Sequence, residues 1–263
     1  MTETRACPAW APPLLALQFL TRVPVPALAR LPREVVDVAL GRAVGWFPLV
    51  GALVGAVTGA TLLLGERLWP RIVAVLIALT VEALITGAFH EDAVADFCDG
   101  IGGGRDPAHV REIMKDSRIG SYGALGLGLA VALRAALMLS LPSSPLFVFV
   151  AIVAAASFGR LVASIAMRAI PPAQSSSSGL AKDISGTLPP GVLVIAAVTA
   201  IPALAPFALL APYALLFAVA ATCVFLVWLR VLLLRKLGGV TGDCLGFAAY
   251  TGQLIVLLAA TAS

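Results

Sequence analysis

The chain has 263 residues, 60% of them hydrophobic and only 12% charged, with a mean hydropathy of +1.00. A water-facing surface carries roughly a quarter or more of its positions as charged side chains, so the composition excludes a soluble globular domain and predicts an all-α, polytopic bundle of membrane helices. The net charge of +4 is not accompanied by aromatic residues interleaved among the basic ones, which argues against nucleic acid as a partner.

The first apolar stretch, Ala9 to Leu20, is too short to cross a bilayer, ends at Thr21-Arg22-Val23-Pro24-Val25-Pro26 and lacks a small-residue cleavage site. It reads as an interfacial helix rather than a signal peptide. Crossing a hydrocarbon core of about 30 Å takes about 20 apolar residues, and seven such stretches follow, at 44–65, 70–90, 120–141, 145–169, 189–208, 211–234 and 244–262. Within the first, Gly51, Gly55 and Gly59 repeat at four-residue spacing, which lets a neighbouring helix approach closely. Since no long linker or soluble insertion interrupts the series, one transmembrane domain is expected over 1–263. It comprises an interfacial arm (1–43), a polar segment (90–120) and a mobile loop (170–189) around the Ser-rich run after Pro171.

Placing the N-terminus in the cytoplasm puts Arg5, Arg22, Arg30, Arg33, Arg42, Arg105, Arg111, Lys115, Arg118, Arg168, Lys182, Arg235 and Lys236 on the cytoplasmic side. The opposite side receives Arg67 and Arg71 only, the asymmetry of the positive-inside rule. Four cysteines without C-x-x-C spacing and only two histidines predict neither a zinc site nor a disulfide framework.

The chemistry is concentrated in the run from His90 to Gly100. If this run is helical, Asp92, Asp96 and Asp99 fall at i, i+4 and i+7 and share one face. Like charges in one stripe repel, and the agent suited to holding them is a hard divalent cation, Mg²⁺ above all, which is usually held by a few carboxylates and substrate phosphates. Gly100 to Gly104 is expected to end that helix. Asp106 and Pro107 then suit the N-cap and first position of another. It is amphipathic, with Val110, Ile113 and Met114 on its apolar side and Arg111, Lys115, Asp116 and Arg118 available to phosphate and metal. Within the spans, Glu82, Arg134 and Arg160 are costly in hydrocarbon. Arg160 is placed to reach a substrate phosphate, while Glu82 and Arg134 serve equally well as a buried structural pair.

Five separated runs, in order along nearly the whole chain, carry a resemblance: Phe19 to Pro26, Phe47 to Gly51, Phe89 to Gly100, Glu112 to Gly120, and Gly238 to Gly246. Together they resemble the cobalamin synthase (adenosylcobinamide-GDP ribazoletransferase) family. The resemblance implies a Mg²⁺-dependent late step of vitamin B12 assembly at the bacterial inner membrane, with the active site facing the cytoplasm. The 3′-hydroxyl of α-ribazole, or of α-ribazole 5′-phosphate, attacks the phosphate on the cobinamide side of adenosylcobinamide-GDP, and GMP leaves. By that resemblance Asp92, Asp96, Asp99 and Asp116 are catalytic. Glu91, Asp92, Asp96, Asp99 and Asp243 are metal ligands, and Lys115, Arg118 and Thr241 bind substrate phosphate; Arg160 joins these phosphate contacts from its place in the cytoplasmic half of its span, not from the resemblance. The general base stays open between Asp116 and Asp243, as does association between copies. One position departs from the pattern, Ala93, where the family often has Gly; its methyl is tolerated if it faces away from the metal.

Two alternatives remain at this level. Asp96-Phe97-Cys98-Asp99-Gly100 matches the D-x-x-D-G opening of the CDP-alcohol phosphatidyltransferase motif, although the Ala-Arg that should follow is missing. A transporter using Glu82, Arg134 and Arg160 along a polar path is the other.

Overall fold

A computed structural model describes residues 7–173 and 188–262. The helices are α1 (Ala11–Leu20), α2 (Arg33–Ala43), α3 (Phe47–Gly65), α4 (Arg71–Thr86), α5 (Phe89–Gly103), α6 (Pro107–Ile113), α7 (Ser121–Ser140), α8 (Pro145–Ala169), α9 (Pro190–Leu210), α10 (Pro212–Lys236) and α11 (Gly242–Thr261). No strand occurs among the described residues; the nearest thing to one is an isolated bridge between Pro172 and Val240. Proline stands in the first turn of α3, α6, α8, α9 and α10, where its missing N–H costs nothing and its fixed φ suits the helix start. Most of the expected loop at 170–189 lies outside the described residues.

Among the described residues, six helical stretches are long and apolar enough to cross a membrane, and seven if α4 and α5 together make one span. The expected second span is therefore not a continuous helix. It breaks at Gly87 and Ala88, which both adopt left-handed backbone at φ 71° and 56°, and the chain turns by 88° between α4 and α5. Ala88 is strained there, since a side chain rarely occupies that region. The turn is held from α1's side: the Arg22 amide donates to the Ile85 carbonyl at 2.7 Å, and the Arg22 guanidinium lies against Gly87 where a Cβ would stand. The boundary between the fifth and sixth spans also differs in detail, because Pro202 and Pro206 lie inside α9 and the break comes at Ala211.

Helix α8 forms the centre of the bundle, packed along α3 on one side and α11 on the other. The glycine ladder makes the first contact: a Cβ on Gly51 would stand 2.5 Å from the Ala156 carbonyl oxygen, and one on Gly55 2.9 Å from Val153 Cα. Such an approach is open only to residues without a side chain. Several polar groups in the bundle pair with one another. Arg134 pairs with Glu82 at 2.6 Å, approaches Glu91 at 3.6 Å, donates to Gln253 at 3.1 Å and lies 5.5 Å from the Tyr250 ring centroid. Thr58 donates to Glu82 at 2.7 Å. One network thus ties α3, α4, α5, α7 and α11, and it settles the open choice for Glu82 and Arg134 in favour of a buried pair.

Candidate functional site

The acidic run is helical, as its spacing requires. Asp92, Asp96 and Asp99 lie along α5, and α11 brings a fourth carboxylate, Asp243, in its first turn. Asp96 lies within electrostatic reach of Asp92, Asp243 and Asp99, and Asp243 within reach of Asp92. The two helices meet closely because a Cβ on Gly246 would collide with that of Ala93, while Phe97 stacks on Phe247 with ring centroids 3.8 Å apart. The Ala93 methyl is 4% exposed and packs on α11, so it belongs to the helix contact and stands clear of the acidic face.

The stripe divides by environment. Asp99 accepts from the amides of Gly120 and Gly123, both at 2.7 Å, and so caps α7, whose own N-cap residue Gly120 has no side chain to offer. Asp92 and Asp96 accept no side-chain hydrogen bond and form no ion pair among the described residues. Glu91 turns the other way, toward Arg134. Unneutralised carboxylate oxygens are the donor set that Mg²⁺ takes. Among the described residues no three His, Cys, Asp or Glu side chains converge as a ready metal cage. Mg²⁺ commonly takes one or two carboxylates and completes its octahedron with water and phosphate, which Asp92 and Asp96 are free to begin.

Gly100 to Gly104 ends α5, as expected, with Gly104 at its C-cap. The helix runs to Gly103, and none of these glycines has positive φ. They are small because neighbours crowd them: the Met114 side chain covers Gly100, and the Tyr122 ring lies 2.6 Å from a Cβ built on Gly102. Asp106 caps α6 as expected, accepting from Ala108 at 2.9 Å and His109 at 3.0 Å. The His109 amide, then that of Ala108, holds its carboxyl below the usual range.

Between the end of α5 and the start of α7 lies an open cleft of about 460 Å³ whose lining includes Asp99, Asp116, Arg118, Ser121 and Tyr122. Arg118 grips Asp116 through Nη2 at 2.6 Å and Nε at 3.0 Å, and this hydrogen bonding holds the Asp116 carboxyl at about 2. Lys115 is exposed on the same edge. Thr241 is the N-cap residue of α11 and its hydroxyl donates to Cys244 Sγ at 3.2 Å. Arg160 is elsewhere: it is 1% exposed, deep in α8, and its Nη1 donates to its own helix at Ala156. Residues of the N-terminal run join it there. Phe19, Phe47, Phe89, His90 and Arg160 line a second, mostly apolar cavity. The sequence alone assigns His90 and the phenylalanines no role, although they fall within the runs that carry the family resemblance.

The cobalamin-5-phosphate synthase family matches residues 12–261. Among curated proteins, the chain is 40% identical over 254 residues to an adenosylcobinamide-GDP ribazoletransferase of Rhizobium etli, covering 93% of this chain and 94% of that one. It is 36% identical over 249 residues to the protein of that name from Leptothrix cholodnii, covering 93% and 92%. It is 35% identical over 249 residues to that of Vibrio cholerae serotype O1, covering 93% and 91%. No solved structure matches the chain.

Proposed function

The chain belongs to the cobalamin-5-phosphate synthase family, and from that premise we propose that it is a Mg²⁺-dependent membrane transferase joining adenosylcobinamide-GDP to α-ribazole or α-ribazole 5′-phosphate. The oxygen of the acceptor's 3′-hydroxyl bonds to the phosphorus that carries the cobinamide. The bond from that phosphorus to the bridging oxygen breaks, and GMP departs with that oxygen. The product is adenosylcobalamin or its 5′-phosphate. Family membership sets aside the CDP-alcohol reading, and the closed Glu82–Arg134 pair removes the basis for a transport path.

The observation that carries the reading is the pair of unpartnered carboxylates, Asp92 and Asp96, facing Asp243 across the α5–α11 contact. Asp92 and Asp96 are the residues that would hold the metal, which would neutralise diphosphate charge and stabilise the leaving group. Asp116, kept ionised down to about 2 by Arg118, is a feeble proton acceptor. Asp243 therefore takes the hydroxyl proton. Lys115, Arg118 and Thr241 stand around the mouth of the site as contacts for substrate phosphate. Asp99 positions the start of α7 and Glu91 steadies Arg134, so both shape the site from outside it.

The setting is the bacterial inner membrane with the site toward the cytoplasm. Arg105, Arg111, Lys115, Arg118, Arg235 and Lys236 gather near the end where α5 and α10 finish and α7 and α11 begin, while Arg67 and Arg71 sit between α3 and α4 at the other. The test is incubation of purified protein with adenosylcobinamide-GDP, α-ribazole 5′-phosphate and Mg²⁺. The expected outcome is equimolar GMP and cobalamin phosphate by mass analysis, abolished by chelation and restored by Mg²⁺. Turnover unaffected by chelation refutes the metal, and the absence of product refutes the transfer.

A further inference from the structure

Beside the carboxylates, but separate from them, lies a partly closed cavity of about 50 Å³. Its walls are Phe19 of α1, Phe47 of α3, Phe89 and His90 of α5 and Arg160 of α8, and the rim includes Gly242. Phe19 stacks on Phe47 at 5.7 Å, its plane 5° from parallel, and meets Phe89 edge-on at 5.5 Å. The cavity adjoins the site at two points in the chain. Gly242 precedes Asp243, and His90 is two residues before Asp92.

Arg160 is the anomaly in this cavity. A guanidinium offers five N–H donors, yet the one hydrogen bond its side chain makes is from Nη1 to Ala156 at 3.2 Å, and its Nε is buried without a partner. No ion pair reaches it among the described residues. The ring nitrogens of His90, which is 4% exposed, are likewise without a hydrogen bond among the described residues. A buried donor without a partner costs free energy, and Arg160 Nε is one; both side chains line an apolar, aromatic space.

Charge decides what fills it. Arg160 lies within electrostatic reach of Glu82 and Glu91, both of which Arg134 contacts directly. Two carboxylates and two guanidiniums already balance, so a phosphate entering here would leave the buried set with uncompensated negative charge. A neutral acceptor of hydrogen bonds adds none. An aromatic ring also suits walls made of phenylalanine, through offset and edge-to-face contact. The closed volume is about a third of the roughly 150 Å³ that encloses benzene in an engineered cavity, so a bicyclic ring enters edge first and its remainder lies at the rim against Phe89.

We propose that this cavity receives the base of the acceptor nucleoside: a neutral benzimidazole whose free ring nitrogen accepts a hydrogen bond from Arg160 and whose faces pack against Phe19 and Phe89. The inference rests on the acceptor being a ribazole. It gives Arg160 a ligand other than phosphate, and places the ribose at the rim beside Asp243.

Benzimidazole alone is the probe. In the wild-type protein it is expected to raise KM for α-ribazole 5′-phosphate without lowering kcat, and not to compete with adenosylcobinamide-GDP. Ala163 also lines the cavity. Ala163→Leu fills the space, and Arg160→Lys removes the planar donor fork. Each should raise the acceptor KM on the order of tenfold, the worth of one hydrogen bond or a comparable contact, and weaken benzimidazole inhibition in parallel, with KM for adenosylcobinamide-GDP held within about twofold. Inorganic phosphate competing with the acceptor where benzimidazole does not overturns the inference in favour of an anion site. So does wild-type turnover that benzimidazole leaves untouched, a result that needs no variant to fold. If the wild type makes no product, the transferase reading fails instead, and the cavity is judged by melting temperature. Benzimidazole should then stabilise the wild type and not Ala163→Leu, and equal effects on the two overturn the inference.

Discussion

Replacing Asp99 by Asn separates a carboxylate that builds the site from those that work in it. The Asp99 carboxylate is 8% exposed as a residue and accepts the amides of Gly120 and Gly123, both at 2.7 Å. Asparagine keeps one oxygen and turns an NH₂ toward the other amide. Losing a helix cap costs about 1–2 kcal/mol, and a buried amide left unpaired about 1–3 kcal/mol, and these overlap to give about 2–4 kcal/mol together. For a chain of this size that is a melting temperature lower by about 5–15 °C. Asp96→Asn makes the converse control, since Asp96 has no such partner and faces like charges. Its melting temperature should equal or slightly exceed that of the wild type. Both are followed by intrinsic tryptophan fluorescence in detergent with chelator present, so that metal binding does not contribute to stability. Should Asp99→Asn melt with the wild type, or Asp96→Asn fall as far as Asp99→Asn, the division of the stripe is wrong.

Asp92→Asn and Asp96→Asn should each lower kcat at saturating Mg²⁺ by at least about a hundredfold, as loss of a charge-stabilising group does, while yielding folded protein; GMP release measures it. Glu82→Gln leaves Arg134 short of its 2.6 Å partner, and breaking a buried pair from one side costs about 3–5 kcal/mol, so the yield of monodisperse protein in detergent should collapse. Gly55→Ala sets a methyl 2.8 Å from Ala156 Cβ and 2.9 Å from Val153 Cα. Forcing α3 off α8 should cost about 1–3 kcal/mol, read as a fall in melting temperature. Arg118→Ala removes an exposed pair, so stability should hold, whereas KM for adenosylcobinamide-GDP should rise on the order of tenfold if the guanidinium meets its phosphates.

What the sequence made legible, and what it did not, follows from the range of the interactions involved. The spans other than the second, the Asp106 cap and the glycine ladder all depend on composition or on residues within a turn or two of one another, and each is found where spacing puts it. The helical stripe of Asp92, Asp96 and Asp99 was equally visible. That Asp99 serves α7 was not, because its partners Gly120 and Gly123 are donors by backbone alone and carry no side-chain signal. The break at Gly87 and Ala88 was hidden because alanine there has no local reason to adopt positive φ; Arg22, more than 60 positions earlier, supplies the contact that supports it. Arg160 was recognised as costly in hydrocarbon, but its surroundings come from α1, α3, α5 and α11, a convergence that no spacing reports.

The break also explains why the acids can exist where they do. A straight continuation of α4 would carry Asp92 and Asp96 along one uninterrupted span, where an ionised carboxylate facing hydrocarbon costs several kcal/mol. Turning by 88° instead lays α5 against α7 and α11. Its apolar residues Val94 and Phe97 are then buried at 2% and 4% exposure, while Asp92 stays exposed and Asp96 half-buried. The two faces of one helix thus divide between bundle and site, and Glu91 at its first turn is drawn inward to Arg134. The strain at Ala88 is offset by that packing. A change that straightened the turn, such as loss of the Arg22 contact, should therefore cost activity before it costs the bundle. Arg22→Ala should retain the melting temperature of α3–α8 packing yet lose Mg²⁺-dependent turnover, and a variant that kept full turnover would detach the break from function.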